Sequence, residues 1–439
     1  MKRTILTIDV DAFFAQVEEI KNIKYKSKPI AIGKKINGRG VVSTCNYIAR
    51  KYNVYSGQPI FKAQKSCPNL ILIEPNFKDY TNYSEKIFKI INSFSNILEI
   101  SSIDECYLDI TKLITEEKNP FYWAKKIQST IFNKLKITVS IGISNRKVLA
   151  KIASKIKKPF GIYSIFQNEI KEKLWPLPIN TFHGIGLQTT KKFNNLNLTK
   201  IEDLAKLKEK DQYVILRKQI GKNIDLLIDE ANGTGEDSLE NKEKDLKSIS
   251  AHKTFQNTIF DYENLINELK ELVNKIVQKL NYRNLTARTV FLVTKNRKNL
   301  NNVENTIEKA ILLRKTQSKR ILLDHYENQY EIIYSYALKL FDNYYNENGI
   351  DFLGIGLADL KDKIYIKKQL KFDQYFEDNF IKKEKSIIGE DNLDNLILNI
   401  NGFFNNKILI KGKYLLKENK YQDKKFSNRD QIKFKIWGK

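Results

Sequence analysis

Strand-like and helical periodicities alternate through residues 1–165, and that alternation confines the N-terminal part of the chain to a sheet with helices packed on it. Thr4–Asp11 is β-rich, and helix formers follow at Phe13–Asn22. Pro29–Gly33, Val41–Thr44 and Leu70–Glu74 read as short strands. Apolar residues then recur at helical spacing at Tyr80, Tyr83, Ile87, Ile91 and Phe94, and again at Phe121, Ala124, Ile127, Ile131 and Leu135. Between these helices, Ile97–Ser101 and Cys106–Ile110 predict a hairpin, and Ile137–Ser144 a further strand. The order predicts an α+β sheet with helices on one face and a small insertion between the first helix and Glu74.

At 439 residues the chain is long enough for two to four domains of ordinary size. Trp175–Gly235 is short and helical in pattern, with paired glycines, and Thr234–Leu246 is polar and charged, as a linker would be. Beyond it, Tyr262–Leu280 predicts a long helix flanked by β-like runs at Ala287–Thr294 and Phe352–Leu357. After Leu360 the chain turns Lys- and Asn-rich, with Leu393–Ile400 and Lys407–Leu416 apolar enough for a small helix and strand. The formal charge of +25 points to a polyanionic partner, nucleic acid or an anionic membrane. No stretch approaches the ~18–20 apolar residues of a membrane span, and Asp9 and Asp11 interrupt the apolar run behind Met1-Lys2-Arg3. Cys45, Cys67 and Cys106 form no Cys-x-x-Cys, and His183, His252 and His325 are scattered, so neither a disulfide framework nor a zinc site is expected. The expectation is a cytoplasmic, monomeric protein that faces nucleic acid.

Two acidic blocks carry the chemistry. The first strand ends in Ile8-Asp9-Val10-Asp11-Ala12-Phe13-Phe14, and the hairpin contains Ser102-Ile103-Asp104-Glu105-Cys106. If the two strands neighbour one another, Asp9, Asp104 and Glu105 converge and repel unless divalent cations neutralise them. Hard oxygen ligands suit Mg²⁺, and two ions about 3.5–4 Å apart clamp the attacking and leaving oxygens of phosphoryl transfer. Taken alone, the same acids also read as solvated strand ends.

Four blocks, Ile8–Glu18, Gly40–Arg50, Ser102–Asp109 and Ile141–Gly161, resemble in order and spacing the Y-family DNA polymerases, which copy damaged templates. The resemblance implies an α+β multidomain right hand. Its parts are a ferredoxin-like palm (1–20 and 75–166), small fingers (21–74) and a helical helix-hairpin-helix thumb (167–234). A linker (235–246), an α/β little finger (247–360) and a C-terminal extension (361–439) complete it. It implies Asp9, Asp104 and Glu105, with the Val10 carbonyl, as ligands of two Mg²⁺ ions that Mn²⁺ can replace, and Phe14 as a steric gate under the sugar. Phe13, Thr44, Tyr47, Arg50 and Lys158 are implied nucleotide-binding residues, although Phe13 by itself also reads as a core aromatic. Tyr47 and Arg50, three apart, would share one face of a short helix. Val42 and Thr44 would roof the new base pair, and Lys155 and Lys157 would be solvated. Phe160 stands where the family has Asn, which puts the local turn in question.

Thr181–Gly186 resembles the thumb's helix-hairpin-helix, with Gly184 and Gly186 admitting a DNA phosphate. Leu187 replaces the usual Lys, so Lys191 and Lys192 are the candidates to supply its charge. Gln369-Leu370-Lys371-Phe372 is a degenerate match to a sliding-clamp peptide, with Gln369, Leu370 and Phe372 as contacts; an ordinary strand over Ile364–Phe372 competes with it. Primer-template DNA and a dNTP are the expected partners. A non-catalytic DNA-binding paralogue and a nucleotidyl cyclase-like enzyme are the alternatives, and neither explains three acids together with the fingers block and the charge. The tail does not decide between the family's two bacterial branches.

Overall fold

The computed structural model describes residues 3–34, 40–235, 238–239, 246–296, 315–343, 345 and 349–363. They fall into two compact units, divided between Glu243 and Lys244. The first unit begins with β1 (Ile5–Val10), α1 (Phe13–Lys21), β2 (Ile30–Ile32), β3 (Thr44–Cys45), α2 (Tyr47–Arg50), α3 (Ile60–Ser66) and β4 (Ile71–Ile73). It continues through α4 (Phe77–Asn92), β5 (Leu98–Ile100), β6 (Glu105–Asp109), α5 (Pro120–Leu135), β7 (Val139–Ser144), α6 (Lys147–Ile156) and β8 (Ile162–Ser164).

Five of these strands form one sheet in the order β5-β6-β1-β7-β8, antiparallel except for β7 with β8. β1 is central, which is why its residues are almost all buried. Leu6, Ile8, Cys106, Leu108, Ile141 and Ile143 point to one face and pack under α4 and α5, against Tyr80, Ile87, Ile91, Ala124, Ile127 and Ile131. Side chains on alternate positions, Asp9 and Glu105 among them, point to the other face. There α6 crosses the sheet, close enough that a Cβ on Gly142 would meet the Ala150 carbonyl oxygen at 1.8 Å. Helices therefore cover both faces. The sequence reading placed them on one, because α6 lies in the block read for its lysines and not for its apolar Leu149, Ile152 and Ala153.

Asn119 caps α5 by accepting from the Tyr122 N–H at 3.0 Å, with Pro120 in the first turn where no donor is missed. The insertion between α1 and Glu74 forms its own small sheet, β3-β2-β4, over a core of Ala31, Cys45, Ile60 and Ala63. Behind the palm-like sheet, α7 (Leu187–Asn194), α8 (Ile201–Ala205), α9 (Gln212–Ile220) and α10 (Asn223–Ala231) enclose Phe193, Leu204, Leu216 and Ile228.

The second unit contains β9 (Ser248–Ile259), α11 (Tyr262–Tyr282), β10 (Leu285–Asn296), β11 (Lys315–Glu327), α12 (Tyr330–Asp342) and β12 (Ile350–Asp362). Its antiparallel sheet runs β11-β10-β12-β9. Leu269, Val273, Ile276, Ala337 and Phe341 from the helices pack on Val290, Leu292, Leu353, Ile355 and Leu357. The sequence reading found α11 and the two inner strands but not β9, β11 or α12. β9 and β11 are edge strands with one polar, solvated face, and the Tyr- and Ile-rich α12 has a composition closer to a strand's. The linker's middle, the C-terminal extension beyond Lys363 and its expected helix and strand lie outside the described residues.

Candidate active site

The register of β1 on β6 puts Asp9 directly opposite Glu105. One residue away, the Val10 N–H donates to the Asp104 carbonyl at 2.9 Å, so all three acids meet at one end of the central strands. The Ser102 hydroxyl donates to Asp104 Oδ1 at 2.6 Å. Burial holds the Asp9 carboxyl above its ordinary range, Lys158 pulls it back down, and Glu105 and Asp104 add to the upward push.

Two ammonium groups stand against these acids. Lys158 forms an ion pair with Asp9, and Lys151 donates to Glu105 Oε2 at 2.9 Å. Lys151 Nζ is equally near Glu105 Oε1, so the ammonium straddles the carboxylate. Among the described residues no three acids, histidines or cysteines form a ready-made metal cage. The donor set nevertheless fits a hard divalent cation: it is oxygen only, and two lysine ammonium groups stand where a cation would sit. Lys151 was missed in the sequence, where one more lysine in a lysine-rich helix is no signal.

Phe14 follows at the start of α1, half-buried, its ring stacked on Tyr80 at 4.2 Å and 10° and edge-on to Phe77 at 5.9 Å. Tyr80 is fully buried and its hydroxyl donates to Glu18 Oε1 at 2.7 Å. Phe13 is 3% exposed, its ring in the core, so its side chain has no face to offer a nucleotide.

In the small sheet, Thr44 is half-buried on β3, while Val42 is 1% exposed in the local core. Val42 therefore cannot roof a base pair; apolar packing against that core draws it inward. Tyr47 and Arg50 do share a face of α2, with the guanidinium 4.6 Å from the Tyr47 ring centre. Asn46, also missed, fixes this helix: its side chain accepts from Ala49 N and Ile30 N and donates to Glu19 and the Lys28 carbonyl, both at 2.7 Å. Lys158 precedes Pro159 and Phe160, and Phe160 keeps a left-handed backbone at φ 57° without the family's Asn. Lys155 and Lys157 are exposed.

Gly184 is left-handed, at φ 90°, and Gly186 caps α7. Lys191 and Lys192 lie in the last turn of α7, about 8 Å along the axis from Gly186. Lys192 donates to the Gln219 carbonyl at 2.9 Å, which ties its ammonium to α9. On the helix-free face of the second unit, a cavity of about 500 Å³ is lined by Thr289, Phe291, Ser318, Lys319 and Arg320. Gln369, Leu370 and Phe372 lie outside the described residues.

Residues 8–155 match the impB/mucB/samB family, and residues 246–370 match that family's C-terminal domain. DNA polymerase IV of Ureaplasma parvum serovar 3 is 34% identical over 370 residues, 84% of this chain and 98% of the relative. DNA polymerase IV of Oceanobacillus iheyensis is 34% identical over 89% of this chain and 88% of its own length. Among solved structures, a chimera of the Y-family DNA polymerases Dbh and Dpo4 superposes with a TM-score of 0.67 at 28% identity, over 81% of this chain and 98% of that one. DinB from Sulfolobus solfataricus gives 0.53 at the same identity and coverage. The chain therefore belongs to the Y family of DNA polymerases, on its DinB-like branch, and is a DNA-directed DNA polymerase of the translesion class.

Proposed function

We propose that the site adds deoxynucleotides to a primer 3′ end, on a DNA template, with Asp9, Asp104, Glu105 and the Val10 carbonyl as ligands of two Mg²⁺ ions or of Mn²⁺ in their place. The observation that carries this is the pairing of Asp9 with Glu105 across β1 and β6, with Asp104 adjacent. Bound there, divalent ions supply charge neutralisation for the attacking and leaving oxygens. Phe14, held flat on Tyr80, excludes a 2′-hydroxyl from the space under the sugar. Arg50 offers a planar fork and Tyr47 a hydroxyl to the triphosphate. Lys158 joins them by exchanging Asp9 for a phosphate oxygen, and Thr44 borders the base pair.

The first unit supplies palm, fingers and thumb, with the Gly184–Gly186 turn against a DNA phosphate. The second is the little finger, and Arg320 and Lys319, which outnumber the one acid Asp359 in the cavity lining, are its candidates to meet the DNA backbone. The enzyme works as a cytoplasmic monomer on this reading, and among the described residues no helix is long and apolar enough to cross a membrane.

Primer extension tests the metal assignment. Asp104→Ala is expected to lower single-nucleotide incorporation by about 10²–10³ or more while primer-template affinity stays within a few-fold. Comparable extension by the variant would refute it. Glu105→Ala behaves alike, with more residual activity. A tether to a sliding clamp through Gln369, Leu370 and Phe372 is a second, sequence-based proposal. Replacing all three by Ala is expected to abolish clamp-stimulated extension and leave clamp-free extension unchanged.

A further inference from the structure

Asp11 is fully buried and takes no part in the metal reading. Its Oδ1 accepts from the Ser140 hydroxyl at 2.7 Å and from the Tyr47 hydroxyl at 3.4 Å. Its Oδ2 accepts from the Phe160 N–H at 2.8 Å. The Asp11 backbone is held as well: its N–H donates to the Thr138 carbonyl at 3.1 Å, and its carbonyl accepts from the Gln16 amide. A buried carboxylate is costly unless donors fill its lone pairs, and here three segments far apart in sequence supply them. One is β7, one is α2 of the small sheet, and one is the turn two residues after Lys158. That turn holds Phe160 left-handed, a conformation an aromatic residue adopts at a cost, so the N–H bond to Asp11 is part of what keeps it there.

We propose that Asp11 is a positioning residue for the nucleotide's triphosphate: in the free enzyme it holds the Tyr47 hydroxyl beside the Lys158 turn, the hydroxyl passing its one proton from Asp11 to a phosphate oxygen as the nucleotide binds, and so it sets in advance the spacing of two phosphate contacts that come from different parts of the chain. The inference rests on the reading of Tyr47, Arg50 and Lys158 as the triphosphate clamp. It differs from the roles of Asp9, Asp104 and Glu105 in predicting an effect on nucleotide binding and none on the chemical step.

The test is single-nucleotide incorporation and primer-template binding by the full chain. Asp11→Asn keeps the volume but turns an amide donor toward one of the three donors. It is expected to raise the KM for dNTP about tenfold, the scale of one missing charge-assisted hydrogen bond, with kcat and primer-template Kd within about twofold. Tyr47→Phe and Lys158→Ala are expected to raise KM singly, and Asp11→Asn combined with Tyr47→Phe to raise it less than the product of the two. An unchanged KM in Asp11→Asn beside a raised KM in the other two overturns the positioning role and leaves the clamp standing. Unchanged KM in all three overturns both. A fall in kcat at constant KM also overturns it. Should Asp11→Asn fail to fold, Ser140→Ala leaves two of the three bonds and is expected to raise KM about two- to threefold at constant kcat. No rise there refutes the proposal.

Discussion

At the scale of single residues, the aromatic floor of the site gives the sharpest expectation. Phe14 cannot swing away, because Tyr80 stacks on it and is itself anchored to Glu18. Phe14→Ala is expected to raise the ratio of ribo- to deoxynucleotide incorporation by about tenfold or more while deoxynucleotide use persists. Steady-state incorporation of the paired nucleotides measures it, and an unchanged ratio places the sugar check elsewhere. That Asp9, Asp104 and Glu105 would meet was legible in the sequence, because carboxylates at strand ends need either solvent or a cation and so mark both blocks. Asp11 was not legible as a hub. Its partners Ser140, Tyr47 and Phe160 are common residue types in distant segments, and hydrogen-bond geometry brings them together without leaving any periodicity. Lys151 was hidden for a similar reason: in a chain this rich in lysine, one ammonium four residues into a helix carries little information. Val42 was misread because side chains alternate along the strand-like Val41–Thr44 run, and it is the exposed Val41 and Ser43 that flank it outward.

Elements with strong periodicity were read well. α1, α4, α5, α11 and the β5–β6 hairpin each lie within a few residues of their expected bounds, because each buries one apolar face in a core. Edge strands β9 and β11 escaped the reading, since half of each faces solvent. The helix-hairpin-helix turn shows how two neighbouring glycines of one motif differ. At Gly184 the backbone is left-handed, and a Cβ would stand 3.0 Å from Leu227 Cδ2. At Gly186 the backbone is ordinary, and an added Cβ would have no described heavy atom within 4 Å. Gly184→Ala is therefore expected to lower the Tm by about 3–6 °C, from a cost of roughly 1–2 kcal/mol. Gly186→Ala is expected to leave the Tm unchanged and weaken DNA binding alone, by crowding an approaching phosphate. Thermal melts and anisotropy titrations on the same pair of variants separate the two effects.

For the whole molecule, the cores of the two units are built from different residues. Truncation before Lys247 is expected to lower primer-template affinity and flatten its salt dependence, by about 0.9 in the log–log slope for each phosphate no longer held. Equal slopes for the full and truncated chains would show that the second unit does not hold the backbone. The central position of β1 has a consequence in time as well as space. Its pairing strands β6 and β7 are encoded far downstream, and Asp11 and Ser140 lie 129 positions apart. A ribosome adding about 5–20 residues per second needs roughly 6–26 s to cover that distance. For roughly the first three quarters of that interval, until β6 is made, the nascent β1 has both edges unpaired; the edge that β7 fills stays open to its end, and the high contact order of the finished sheet slows closure further. Birth of the catalytic centre is thus a late event, reached only when about a third of the polypeptide has left the translation machinery, and holdase chaperones have their opening before it.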